Sequence, residues 1–269
     1  MNTNNQYFTL KNLIMKYTLL ILILGLFFHF SANAQGRPTV ANRSQKFSGG
    51  GMAMVKKKTN PKDKKMGLGG ARRPETIENE EVGEAFNTLE EGNWAEAIDQ
   101  LDDYSDSDPD AAYGLGVAYY QNGDVEKAIG VLEQNAENTD ALYELGVIYS
   151  EQGDYDKAEE KFLELLTIDP EDEFAWYELG YLYLETGYYE DAFECFNNVL
   201  LIDSSDPDAP YELARIYAIS GDVDGALSAL NQAFQNGFDD LEFVQEDPDL
   251  ETVTSTDGFA ELVDHYFRD

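Results

Sequence analysis

Residues 141–170, ALYELGVIYSEQGDYDKAEEKFLELLTIDP, decide the fold because the chain repeats them. Their skeleton is Leu145-Gly146, Tyr149, Gly153-Asp154-Tyr155, Ala158, Phe162 and Pro170. It returns as Leu179-Gly180, Tyr183, Gly187, Tyr189, Ala192 and Phe196, and again as Leu213-Ala214, Tyr217, Gly221, Ala226 and Leu230. From Gly153 to Gly187 to Gly221 the step is 34 residues each time, a period that belongs to arrays of helical hairpins. Each copy holds two apolar-periodic segments of about 13 residues, long enough for helices. The glycine between them supplies the left-handed residue that ends the first helix. The next residue (Asn93, Asp124, Asp154, Asp222) is expected to cap the second helix by accepting a backbone N–H. Tyr188 breaks that pattern and predicts a weaker cap in its hairpin.

Small residues mark where the two helices of a pair must approach. They are Ala85, Gly116, Gly146, Gly180 and Ala214 on the first helix, and Ala97, Ala128, Ala158, Ala192 and Ala226 on the second. A glycine inside a helix costs about 1 kcal/mol relative to alanine, so three at one register imply a packing reason. Tyr149 with Phe162, and Tyr183 with Phe196, are expected to fill the space beside the crossing. Two less regular copies lie upstream, with Leu115-Gly116, Tyr119, Gly123, Ala128 and Leu132, and with Ala85, Gly92-Asn93-Trp94, Ala97 and Leu101. Their glycines are spaced 31 and 30 residues apart, which predicts shortened second helices or turns.

This skeleton resembles the tetratricopeptide repeat. The copy at 141–170 carries almost the whole family pattern, the next adds the family's tryptophan as Trp176, and the last has Pro210 there, in the first turn of its helix where proline is tolerated. The resemblance covers about 76–237. It implies an all-α fold, a right-handed α-solenoid of about five hairpins at approximately 76–109, 110–138, 139–171, 172–205 and 206–237. Residues 238–269 read as C-terminal capping helices, which such an array needs. Asp247-Pro248 restarts the chain there, and Asp257 is expected to cap a last helix bearing Phe259, Leu262, Tyr266 and Phe267.

Upstream of the array the composition changes twice. Residues 1–34 have the three-part layout of a secretory signal peptide: Lys11 and Lys16, an apolar run from Tyr17 to Phe30, and a small-residue cleavage site ending at Ala34. An uncleaved anchor is the alternative. Export to a bacterial periplasm or cell envelope is the location this implies. Residues 35–75 form a basic linker with Lys56, Lys57, Lys58, Lys62, Lys64, Lys65, Arg72 and Arg73 and no hydrophobic periodicity, the mark of a disordered arm.

From Glu75 onward the charge inverts: 52 acidic residues face five basic ones, within a chain of net charge −35. Such a surface steers cationic partners toward itself. Nucleic acid is not an expected partner, because phosphate needs lysine and arginine. Beyond the signal segment only His265 and Cys195 remain of the usual transition-metal and nucleophilic side chains. Neither has a companion, so no enzyme activity, catalytic residue, metal or cofactor is expected. Residues 106–110, DSDPD, look like the start of a calcium loop but lack the glycine and glutamate that such a loop requires at its sixth and twelfth positions, where Ala111 and Val117 stand.

In tetratricopeptide arrays the first helix of each hairpin lines the concave face. One register there recurs as Tyr113, Tyr143, Tyr177 and Tyr211, followed by Gly114, Glu144, Glu178 and Glu212, with Val117, Val147, Tyr181 and Arg215 further along. The expectation is a groove of phenol rings edged by carboxylates. Phenol faces attract lysine or arginine by about 0.5–1 kcal/mol when exposed, and carboxylates add charge-assisted bonds. The function read from this is a non-enzymatic interaction scaffold, taking a cationic or extended peptide segment of another protein. The alternative is a structural spacer whose basic arm docks on anionic lipid or an acidic partner. The opposed charges also suggest that the arm around 56–65 occupies the acidic groove until displaced.

Overall fold

The computed structural model describes residues 71–74 and 76–268, which lie within one compact unit. Residues 1–34, read above as a signal segment, and nearly all of the basic arm, including Lys56 through Lys65, lie outside the described residues. The described chain is a succession of helical hairpins. The first two pairs are α1 (Glu80–Glu90) with α2 (Trp94–Leu101), and α3 (Pro109–Gln121) with α4 (Val125–Gln134). The next are α5 (Thr139–Glu151) with α6 (Tyr155–Ile168), α7 (Glu173–Thr186) with α8 (Tyr189–Ile202), and α9 (Asp208–Ser220) with α10 (Val223–Gln235). Helices α2 and α4 have 8 and 10 residues against 14 in α6 and α8. That shortening accounts for the reduced glycine spacing upstream. Each helix packs on its chain neighbours, and the first helices α1, α3, α5 and α7 also touch one another in sequence, so they make the inner row of the stack.

The hairpin glycines have φ between 76° and 98°, a region open to glycine at little cost. The residue after each returns its N–H to a carbonyl of the preceding helix, as Asp154 does to Tyr149 and Asp222 to Tyr217, both at 2.9 Å. Where helices cross, the missing side chain is a packing necessity. A Cβ on Gly146 would stand 2.5 Å from Phe162, on Gly116 2.5 Å from Leu132, and on Gly180 2.8 Å from Phe196. Phe162 meets the ring of Tyr143 edge-on at 6.0 Å, and Phe196 meets Tyr177 and Tyr181 at 5.9 and 5.6 Å. Tyr149 and Tyr183 send their hydroxyls back to the preceding hairpin, to Glu133 at 2.8 Å and Glu159 at 2.6 Å.

The caps depart from the sequence reading. Asn93, Asp124 and Asp154 do not cap their helices, so Tyr188 is no weaker than these three. Their ψ angles of 58–67° turn the side chain away from the helix N–H groups. Asp124 and Asp154 face Lys127 and Lys157 instead, at 3.6 and 2.9 Å. Asp222 alone among these positions caps, accepting from the Gly225 N–H at 2.9 Å. A Cβ at Gly225 would lie 2.7 Å from that carboxylate, so glycine there makes the room. The strong caps sit on the first helices, where Asn79, Asp108, Asn138 and Asp172 have ψ of 98–123° and accept helix N–H groups.

After α10 the chain turns at Gly237 into α11 (Leu241–Glu246), a 3-10 turn (Pro248–Leu250), α12 (Glu251–Thr254) and α13 (Asp257–Tyr266). The cap of α13 is Thr256, whose hydroxyl accepts from Phe259, rather than Asp257. Tyr266 donates to Asn231 at 2.8 Å and Phe267 meets Phe234 edge-on at 5.0 Å, so this segment covers the last hairpin.

Candidate functional site

The tyrosine register of the inner row is not an open groove. Tyr113, Tyr143, Tyr177 and Tyr211 are each at most 3% exposed, and so are Val117, Glu144 and Glu212. Val147, Glu178 and Tyr181 are half-buried. The exposure expected from sequence fails because the chain lays its own segments over the face.

Near its middle, residues 71–73 cross the row. Arg72 seats its guanidinium 3.6 Å above the ring of Tyr143 and 4.9 Å from that of Phe174. Its two terminal nitrogens donate to the two oxygens of Asp172, Nη1 at 2.5 Å and Nη2 at 2.8 Å, and Asp140 stands 3.9 Å away. The Arg72 carbonyl accepts from the Tyr113 hydroxyl at 2.6 Å. Arg73 pairs with Glu90 at 2.6 Å and donates to Asn87 on α1. These end residues of the basic arm, expected to be disordered with the rest, are thus held by partners on four successive hairpins, the acids Glu90, Asp140 and Asp172 and the phenol of Tyr113. Asp172 is held rigid for the task, since its Oδ1 also caps α7 through the Ala175 N–H at 2.8 Å.

At the far end the closing segment does the covering. Tyr211 stacks on Phe238 at 4.8 Å, tilts against Phe243, and donates to Asp247. Arg215 bonds Glu212 at 2.7 Å and Asp249 at 2.6 Å, with its Nε 3.1 Å from Asp247. Between the two arginines, Tyr177 stacks on Tyr181 at 6.0 Å and donates to Asp206, which caps the next first helix through Asp208 and Ala209.

Burial sets the protonation states of this face. It raises the phenol pKa values of Tyr113, Tyr177 and Tyr211 well above the ordinary range, so they act as neutral donors. Burial, with Glu151 nearby, raises Glu144 to about 7, against the pull of Arg72. Burial likewise raises Glu212, opposed by Arg215. Cys195 is fully buried at the crossing beside Gly180, and its thiol is pushed up by the same desolvation. The carboxylates of Glu173, Asp203 and Asp206 approach one another within 4.8 Å. Asp203 is engaged by Ser205 and Asp206 by its cap and Tyr177, so these acids serve the inter-repeat turn.

Sequence reasoning found the rings but missed Arg72, Asp140, Asp172 and Phe174. One signal was available. Phe174 occupies the register held by Asp140 and Asp208 in the adjoining copies, an aromatic ring at an otherwise acidic position.

Residues 139–172 and 173–206 each match the tetratricopeptide repeat, and 88–134 match a second model of that repeat. No curated protein matches the sequence. Among solved structures, PilF of Pseudomonas aeruginosa is similar over 70% of this chain and 90% of its own, at 19% identity and a TM-score of 0.56. A crystal structure of MamA is similar over 56% of this chain and 93% of its own, at 20% identity and a TM-score of 0.51. A double mutant of MamA RS-1 covers 63% of this chain and 99% of its own, at 19% identity and 0.51. At these identities the likeness is one of fold.

Proposed function

We propose, from the tetratricopeptide repeats matched at residues 88–134 and 139–206, that this chain is a protein-interaction scaffold whose inner face binds an extended cationic segment of another protein. The observation that carries the reading is the seat of Arg72, where an acidic fork, two aromatic faces and a phenol donor already hold an arginine and its backbone carbonyl. Stacking over an aromatic ring and a bidentate carboxylate are the contacts that make a guanidinium a strong anchor. The inner face recruits its ligand by charge, as 52 acids against five bases beyond residue 74 would. The leader read in residues 1–34 supports work outside the cytoplasm, at the cell envelope. Among the described residues no helix is long and apolar enough to cross a membrane.

Calorimetric titration of the chain with a synthetic lysine- and arginine-rich peptide at low salt tests this. Saturable binding is expected, and in an Arg72→Ala background, which leaves the seat free, it is weakened by Asp172→Asn, which keeps a capping side chain on α7, and unaffected by Glu160→Gln on a second helix. Equal losses from both variants, or no saturable binding, would refute the inner face as the site.

A further inference from the structure

The Arg72 seat is shaped to a planar cation, with a ring face on one side and a carboxylate fork at its edge. A guanidinium is planar, so it can lie flat on a ring and still present two parallel N–H groups to one carboxylate; an ammonium cannot do both. Arg72 does both at once, on Tyr143 and Asp172, which lie 71 and 100 residues along the chain. The acceptor fork is fixed by its capping bond, and the Tyr113 hydroxyl fixes the backbone that carries the arginine. Asp140 and Phe174, which share one register in successive hairpins, close the sides. This is more than a charged patch, because each contact constrains shape as well as sign.

We infer, resting on the inner-face reading above, that residues 71–73 are an internal pseudo-ligand: the incoming partner presents an arginine on an extended strand, and must displace Arg72 to dock. The occupant is a protein segment of the form Arg-Arg or a single exposed arginine with a free carbonyl beside it, and lysine is a poor substitute. Arg73, paired with Glu90 at partly exposed positions, is the edge from which displacement starts. Six residues separate Arg73 from the first residue of α1 at Glu80, so the segment competes from a short tether. A short tether supplies an effective concentration on the order of millimolar, which suppresses ligands of micromolar affinity without abolishing them.

The test compares the intact chain, Arg72→Ala and Arg72→Lys, each checked for folding by circular dichroism. The probes are fluorescein-labelled Gly-Ala-Arg-Arg-Pro-Glu and its Lys-Lys counterpart, read by anisotropy at low salt. Arg72→Ala should bind the arginine probe about tenfold or more tightly than the intact chain, the factor expected from losing a tethered competitor. It should prefer that probe to the lysine probe by a similar factor. Arg72→Lys, a weaker competitor, should fall between the two proteins. Equal affinity of the intact chain and Arg72→Ala for the arginine probe would overturn the pseudo-ligand while leaving the inner face as a site. Equal affinity of Arg72→Ala for both probes would overturn the arginine preference alone. Failure of the folded Arg72→Ala protein to bind either probe would remove the inner-face reading itself.

Discussion

Gly146→Ala places one methyl group against a ring that has little room to retreat. The new Cβ would stand 2.5, 2.7 and 2.8 Å from Cε1, Cζ and Cδ1 of Phe162, where carbon atoms prefer about 3.5–4.0 Å. Phe162 is wholly buried and held edge-on by Tyr143, so it must shift by about 1 Å inside a packed core to restore that spacing. Two terms then oppose each other. Alanine gains about 1 kcal/mol over glycine in a helix interior, while overpacking costs about 1–3 kcal/mol. A ring confined on several sides puts the cost toward its upper end, giving a net loss of about 1–2 kcal/mol. Gly130, inside α4, supplies the control, because a Cβ there meets nothing within 4 Å. Gly130→Ala should therefore gain up to about 1 kcal/mol. Urea unfolding followed by far-ultraviolet circular dichroism measures both. The variants should straddle the parent protein and differ by roughly 2–3 kcal/mol. Phe162→Leu in the Gly146→Ala background should recover part of the loss. A Gly146→Ala protein as stable as Gly130→Ala would refute the claim that close helix approach selects glycine at this register.

Four further outcomes follow from the ion pairs, a buried carboxyl and the thiol. Arg215→Ala leaves Glu212 buried without its cation and should cost about 3–5 kcal/mol, with new protease cleavage between residues 236 and 250. Lys157→Ala, removing an exposed pair, should stay within about 0.5 kcal/mol of the parent. Because Glu144 has a folded pKa of about 7, above its ordinary 4.5, the folded state holds its proton longer than the unfolded chain does. Its contribution is therefore a destabilisation that grows as pH rises from about 4.5 to about 7 and is constant above. Glu144→Gln should add up to about 3 kcal/mol at pH 8 and little at pH 4, and equal increments at both pH values would show that the carboxyl is not desolvated. Cys195, buried and shifted up, should resist thiol reagents at pH 8 in the native protein and react once it is unfolded.

How much of the site was legible varies residue by residue. Gly146 against Phe162 could be read from the chain, since both are local to one hairpin and recur with it at Gly180 and Phe196. The tyrosine register was legible for the same reason, but its exposure was not. Whether Tyr143 faces solvent depends on a segment 71 residues upstream whose composition reads as disordered. The capping error has a similar root. Asp154 and Asp172 are both good capping residues by type, yet only the second has the extended ψ that turns its carboxylate toward the helix.

Sequence alone therefore determined the hairpin, its period of 34 residues and the order of stacking, because these follow from short-range rules that each copy obeys and its neighbours repeat. Only the tertiary structure decided which acids meet Arg72 and Arg215, and so what covers the inner face near its middle and at its far end. A periodic pattern has no way to record such pairings. Arg72 could have met any of 52 carboxylates, and the one it meets was selected by the curvature that brings Tyr113, Tyr143 and Asp172 around a single strand.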